Sequence, residues 1–124
     1  MRAMYSFFIP LIFLTMALTA HGELTSVAIK TEINALLDKL ESSGCEFYRN
    51  GFWYTGKDAK AHLLNKLGFI ENKTVLKNTE AFIELAASTS SFSGKAYEVR
   101  CHGKDTLESG EWMRNELKAL RAIQ

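Results

Sequence analysis

The sequence predicts an α+β fold, in which about four helices pack on a small antiparallel sheet that carries one disulfide. Apolar residues recur at spacings of three and four in separate segments, which is typical of amphipathic helices. Asn50-Gly51 lies between two runs of strand-forming residues and is a strong hairpin signal. The 124 residues are 47% hydrophobic and 23% charged, which excludes a disordered or collagen-like chain and fits one domain.

Residues 1–22 predict a secretory signal peptide, since a basic start is followed by an apolar run and then by small residues. Ala20-His21-Gly22 favours cleavage in front of Glu23, and cleavage after Ala20 is the alternative. An uncleaved membrane anchor is the other interpretation. The apolar run of about fourteen residues is shorter than the roughly 18–20 that span a bilayer, and Pro10 interrupts it.

Cleavage would leave residues 23–124 as a single globular domain with no membrane span. This part has as many acidic as basic side chains, because Arg2 leaves with the signal peptide. Nucleic-acid binding relies on clustered positive charge, so the balance argues against nucleic acid and against an anionic membrane surface as partners. No second histidine stands at metal-ligand spacing, and we expect neither a metal site nor a cofactor.

Cys45 and Cys101 predict one disulfide, because an even number of cysteines in an exported chain favours pairing over reactive thiols. The bridge would close a loop of 56 residues. A disulfide tolerates a Cα separation of only about 4.4–6.8 Å. The strand that carries Cys101 is therefore expected in or beside the hairpin sheet.

The elements follow in order along the chain. A first helix is predicted over residues 25–43 and ends before Gly44, which suits the left-handed position after a helix. The hairpin covers residues 45–55. A second helix is predicted over residues 58–67, with Gly68 as its terminator. The apolar stripe of the first helix comprises Val27, Ile29, Ile33, Leu36, Leu37 and Leu40.

The second half of the chain continues the alternation of helix and strand. Asn78 or Thr79 can cap a third helix, and a serine-rich loop at residues 88–94 follows it. Residues 96–102 alternate as a strand, and Ser109 is expected to cap a last helix. The third helix would bury Phe82, Ile83, Leu85 and Ala86, and the last would carry Trp112, Met113, Leu117, Leu120 and Ile123.

Several of these residues, taken together, form a pattern that resembles a known family. They are the run 43–54, Ala61-His62-Leu63, Lys66, Phe82-Ile83, Ala86-Ala87-Ser88, Ser90-Ser91, Ser93-Gly94-Lys95, Tyr97, Val99, Cys101, Ser109, Trp112 and Leu117. The chain resembles a family of small secreted proteobacterial proteins that is classified as a domain of unknown function. The resemblance implies a periplasmic protein of a Gram-negative bacterium, and it implies no activity and no site residues.

His62 is the most interesting titratable residue for catalysis. Asp58 precedes it by four residues and could orient its imidazole as a base, while Lys66 follows by four. The plainer interpretation is a histidine at the edge of the core with an ordinary i,i+4 contact.

Lys95 beside the serine-rich loop invites a Ser/Lys catalytic interpretation. The segment lacks the S-x-x-K spacing of such a pair and is more typical of a polar turn.

The hairpin carries a dense aromatic set, and alternation sends some of its members to each face of the sheet. Helices on one side can bury only one row, so Phe47 or Tyr48 would face outward with either Trp53 or Tyr54. Exposed aromatics with Arg49 nearby are typical of contact sites. The alternative is that the last helix covers the second face. The candidate binding residues are Tyr48, Arg49, Trp53, Tyr54 and His62.

Three functional hypotheses follow. The first is a non-catalytic periplasmic binding protein, for example of an inhibitor or immunity type, whose partner is an envelope protein or a cell-wall fragment. The second is a small envelope enzyme with His62 as acid or base, together with Lys66, Lys95 or Tyr54. The third is a subunit of a larger envelope assembly that has no ligand of its own.

Overall fold

The computed structural model describes Pro10, Ile12 and residues 25–124. Apart from those first two positions, the predicted signal peptide of residues 1–22 lies outside the described residues. Within the described part, none of the helices combines the length and the apolar character that crossing a membrane requires.

The α+β prediction is confirmed: helices pack on one side of a four-stranded antiparallel sheet with the strand order β2-β1-β3-β4. The strands are β1 (Glu46–Arg49), β2 (Phe52–Thr55), β3 (Glu98–Arg100) and β4 (Leu107–Glu108). The structure shortens the predicted strand at 96–102 to β3. The two-residue β4 was not predicted, because so short a segment shows no alternation of apolar and polar residues.

The structure confirms the predicted hairpin turn and the predicted disulfide. Asn50 and Gly51 have φ angles of 48° and 93°, the two positive values that a type I′ turn requires. Cys45 and Cys101 are bonded, with their Cα atoms 4.3 Å apart. Because these cysteines flank β1 and β3, the covalent link joins strands that are far apart in sequence and adjacent in the sheet.

The first two helices, α1 (Val27–Ser42) and α2 (Gly56–Glu71), pack against each other at close range. A Cβ atom at Gly56 would lie 2.5 Å from the carbonyl oxygen of Leu40, so only glycine fits this position. Gly68 does not end α2 as predicted. A glycine inside a helix costs only about 1 kcal/mol, and Ile70, which packs on the core beyond it, favours continuation of the helix.

The third helix is a short α3 (Thr79–Phe82) that continues into a π-helical turn over Ile83–Ala87. The prediction that Leu85 is buried is wrong, since 51% of it is exposed. In this π turn the exposed Glu84 and Leu85 separate the buried Ile83 from the buried Ala86 and Ala87, so Leu85 lies on the side that faces away from the core.

The last helix, α4 (Ser109–Ala122), begins one residue earlier than predicted. Glu108 holds the capping position, and Ser109 is a buried first helical residue whose backbone N–H donates to the carbonyl oxygen of Tyr97. Trp112 of α4 meets the ring of Phe47 edge to face, with centroids 5.6 Å apart. This contact joins the last helix to the hairpin.

Candidate functional site

The structure divides the five candidate binding residues between the two faces of the sheet. Directly paired residues in antiparallel strands point to the same face. Phe47 pairs with Tyr54 and Val99, and this row faces the helices. Tyr48 pairs with Trp53, and this row faces the opposite side. The hairpin therefore contributes to two separate surfaces.

On the helix side, a small cavity lies between the hairpin and α2. It has a volume of about 40 Å³, and its polar lining comprises Arg49, Tyr54, Asp58, His62, Tyr97 and Ser109. Tyr48, which belongs to the opposite row, also borders the cavity. Pockets that enclose a drug-sized ligand have volumes of about 300–1,000 Å³. The cavity can therefore hold a small head group and not a whole substrate of that size.

The imidazole of His62 is held by Arg49 and Tyr97. Arg49 Nη1 lies 3.0 Å from His62 Nδ1, and His62 Nε2 lies 3.1 Å from the hydroxyl of Tyr97. A guanidinium can only donate, so Nδ1 is the acceptor and the neutral ring carries its proton on Nε2. Within the described residues, no hydrogen bond joins His62 to Asp58, the orienting group that the sequence suggested.

Lys66 completes this group from the next turn of α2. Its side chain is buried, and its ammonium donates to the carbonyl oxygen of Thr89 at 3.0 Å and to the hydroxyl of Tyr97 at 3.2 Å. Tyr97 thus links His62 to Lys66, a role that sequence analysis missed. The available signal was a tyrosine at an inward-facing strand position, because a buried hydroxyl needs a partner.

The environment shifts the pKa values of these groups toward their neutral forms. Burial, with the charges of Arg49 and Lys66, lowers the pKa of His62 to about 4. Burial, followed by the charge of Arg49, also lowers the pKa of Lys66. Burial raises the pKa of the Tyr97 hydroxyl, and Arg49 opposes this effect. At neutral pH His62 is therefore uncharged.

This arrangement limits the ability of His62 to act as a general acid or base. Both ring nitrogens are engaged within the protein, and a base with so low a pKa accepts protons weakly near neutral pH. Lys95 is exposed and does not line the cavity, so the structure brings His62 and Lys66 together without it. Among the described residues, no three potential metal ligands of the His, Cys, Asp or Glu types cluster.

The lowered pKa of His62 predicts a loss of stability in acid. The unfolded chain takes up a proton on this residue below about pH 6.5, whereas the folded protein does so only near pH 4. Stability from this group is therefore complete above pH 6.5 and decreases as the pH falls toward 4. Denaturant unfolding of the wild type and of His62→Gln at several pH values in this window measures the effect.

The matched control for this experiment is His102→Gln, which replaces an exposed histidine outside the cavity. We expect this variant to keep the acid-dependent decrease and His62→Gln to lose part of it. Equal pH profiles for the wild type and His62→Gln would contradict the prediction.

On the opposite side of the sheet, Tyr48, Trp53 and Arg100 form what we call the outer aromatic face. The rings of Tyr48 and Trp53 lie 5.2 Å apart, and the guanidinium carbon of Arg100 lies 3.9 Å from the centroid of Trp53. Glu46 accepts two hydrogen bonds from Arg100, at 3.1 and 3.3 Å. Both aromatic rings remain half-buried, so each retains surface that a partner could cover.

Comparison with known proteins identifies relatives without assigned activities. A profile described as "Family of unknown function (DUF5329)" matches residues 27–121. The "Uncharacterized protein YfeK" of Salmonella typhimurium (strain LT2) is 38% identical over 69 residues. That match covers 55% of this chain and 56% of the relative, so this chain spans about half the length of the relative. No solved structure matches the chain.

Proposed function

We propose that this chain, which belongs to the DUF5329 family of unknown function, is a non-catalytic binding protein of the bacterial periplasm. Its partner in this proposal is another envelope protein, which docks on the outer aromatic face. An inhibitor or immunity protein that blocks an envelope-acting enzyme is one concrete form of this function.

The outer aromatic face is the observation that carries the proposal. Tyr48 and Trp53 lie on the side of the sheet away from the helices, and Arg100 stacks on the indole. Tryptophan, tyrosine and arginine are the residue types that contribute most to binding energy at protein interfaces. Because a regular sheet holds them in place, they lose little conformational freedom on binding.

The charge of the same face indicates the chemistry of the partner. Glu46, Glu98 and Glu108 point to this side together with Arg100, since the strand register pairs them directly. Glu46 is bonded to Arg100, whereas Glu98 and Glu108 have no cationic partner within the described residues. A protein surface that offers basic side chains around an apolar centre would complement this face.

The proposed compartment rests on two independent features. The disulfide between Cys45 and Cys101 is compatible with an oxidising environment such as the periplasm. The predicted signal peptide of residues 1–22 provides the route of export. The absence of a catalytic role is supported by His62, whose two ring nitrogens already bond Arg49 and Tyr97.

Truncation of Trp53 tests the docking surface. We expect tagged wild-type protein, expressed in a bacterium that carries the native gene, to retain a specific envelope protein after cross-linking. Trp53→Ala should reduce this recovery at least about tenfold, since a central tryptophan at an interface typically contributes 2 kcal/mol or more. Quantitative mass spectrometry of the cross-linked material measures the recovery.

The matched control is Phe69→Ala, which removes an aromatic ring that is 69% exposed and lies on α2, outside the outer aromatic face. This variant should recover the partner as well as the wild type does. Equal recovery with Trp53→Ala would refute the docking surface. Retention of the wild type on purified cell-wall glycan, and its loss with Trp53→Ala, would replace the protein partner with a cell-wall fragment.

A further inference from the structure

Arg49 and Lys66 are two cations that the fold partly buries without a carboxylate partner. Arg49 is half-buried, and Lys66 is 9% exposed. In residues 25–124, the ion pairs involve Lys30, Lys60, Arg100 and Arg121, and neither Arg49 nor Lys66 takes part in one. Buried charges in proteins are normally paired, so these two lack a counter-ion.

The guanidinium of Arg49 is held in a fixed orientation at the cavity. Its carbon lies 4.9 Å from the centroid of Tyr54, and Nη1 is bonded to His62. Within the described residues, the N–H groups of Nε and Nη2 have no acceptor. These donors form the side of the guanidinium fork that matches the two oxygens of a carboxylate.

The surroundings of the fork favour an anion over a neutral ligand. His62 and Tyr97 stand between Arg49 and Lys66, so the buried ammonium adds positive potential behind the cavity. Asp58 is the acidic residue on the cavity wall, and it lies beyond ion-pair distance from Arg49. It therefore leaves the charge of the fork unneutralised.

We propose that the cavity between the hairpin and α2 binds a carboxylate, to which Arg49 donates hydrogen bonds from Nε and Nη2. With a volume of about 40 Å³, the cavity accepts the carboxylate head group, and the rest of the ligand lies outside it. The ligand is therefore a molecule that ends in a carboxylate, either a small organic acid or the carboxyl terminus of a peptide. This site lies on the other side of the sheet from the outer aromatic face, with which it shares only Tyr48, and it does not depend on the proposed function.

The test is a nuclear magnetic resonance titration of the isotope-labelled protein with sodium acetate at constant ionic strength. We expect saturable shifts of the Arg49 Nε–H and the His62 ring signals, and no such shifts with acetamide, which lacks the charge. Arg49→Lys should bind acetate at least about tenfold more weakly, because it keeps the charge and loses the fork. Arg114→Lys on α4 is the matched control and should bind acetate like the wild type.

Asp58→Asn gives an opposite expectation, since removal of a negative charge from the cavity wall should strengthen acetate binding. Equal shifts with acetate and acetamide, or shifts confined to exposed lysines, would overturn the proposal even if Arg49→Lys fails to fold. Binding of inorganic phosphate without binding of acetate would overturn the assignment to a carboxylate.

Two further probes separate the possible sources of the carboxylate. A short alanine peptide with a free carboxyl terminus and the same peptide with an amidated terminus differ only in the proposed head group. Tighter binding of the free peptide than of acetate assigns the site to peptide termini. Equal affinities assign it to small organic acids, and binding of the amidated peptide at the same signals would contradict the site.

Discussion

Replacement of Phe47 by alanine is expected to lower the free energy of unfolding by about 3–5 kcal/mol, the range for a buried phenylalanine. The side chain is 6% exposed and contacts Trp112 edge to face. Its loss would leave a cavity between β1 and α4, where neighbouring elements can collapse only in part. Denaturant unfolding of the purified variant, followed by tryptophan fluorescence, measures the change.

Phe52→Ala is the matched control, because it removes the same side chain from the other strand of the hairpin. Phe52 is 67% exposed, and we expect a change within about 0.5 kcal/mol. Phe52 pairs with Arg49 and therefore lies on the same face of the hairpin as Phe47, at its exposed end. Similar losses for both variants would contradict the assignment of Phe47 to the buried core.

The sequence does not predict which of the two rows of hairpin side chains faces the helices. Alternation establishes that Phe47 and Tyr48 face opposite ways, but it does not say which face the helices cover. The structure decides this through the contact of Phe47 with Trp112, two residues that are far apart in sequence. Helix stripes were easier to predict, because the periodic apolar residues of α1 identify its buried face. Four of the six predicted stripe residues are buried, whereas Val27 at the first turn is 84% exposed.

The candidate site was predictable only in part for a similar reason. Arg49 and His62 were identified from their residue types, and the structure brings them into contact. The expected partner Asp58 is a neighbour of His62 along α2, whereas the actual partners come from β1 and from residues next to β3. Local spacing indicates contacts within one helix, but it carries no information on which strands approach that helix.

The disulfide shows the opposite case, in which a long-range contact followed from the sequence. Only two cysteines are present, so pairing leaves no choice of connectivity. Their bond required the strand near Cys101 to approach the hairpin, and β3 pairs with β1 in the structure. A covalent constraint of this kind places distant elements together where hydrophobic periodicity cannot.

Removal of this disulfide is the second large effect that we expect. The double variant Cys45→Ala/Cys101→Ala should lose about 4 kcal/mol of stability, since the bridge closes a loop of 56 residues and restricts the unfolded chain. A domain of this size has a typical net stability of about 5–15 kcal/mol, so a large share depends on one bond. Thermal and denaturant unfolding of the variant and of the oxidised wild type measure the difference.

The wild type treated with a reducing agent provides the internal control, because it keeps both side chains and loses only the bond. Its stability should fall close to that of the double variant, and intact-mass analysis should show a gain of two hydrogens. The bridge joins the ends of β1 and β3, next to Arg100 of the outer aromatic face and its partner Glu46. Reduction should therefore also weaken the stacking of Arg100 on Trp53, which tryptophan fluorescence of the folded fraction can report. Unchanged stability after reduction would show that hydrogen bonding between β1 and β3 suffices to hold these strands together.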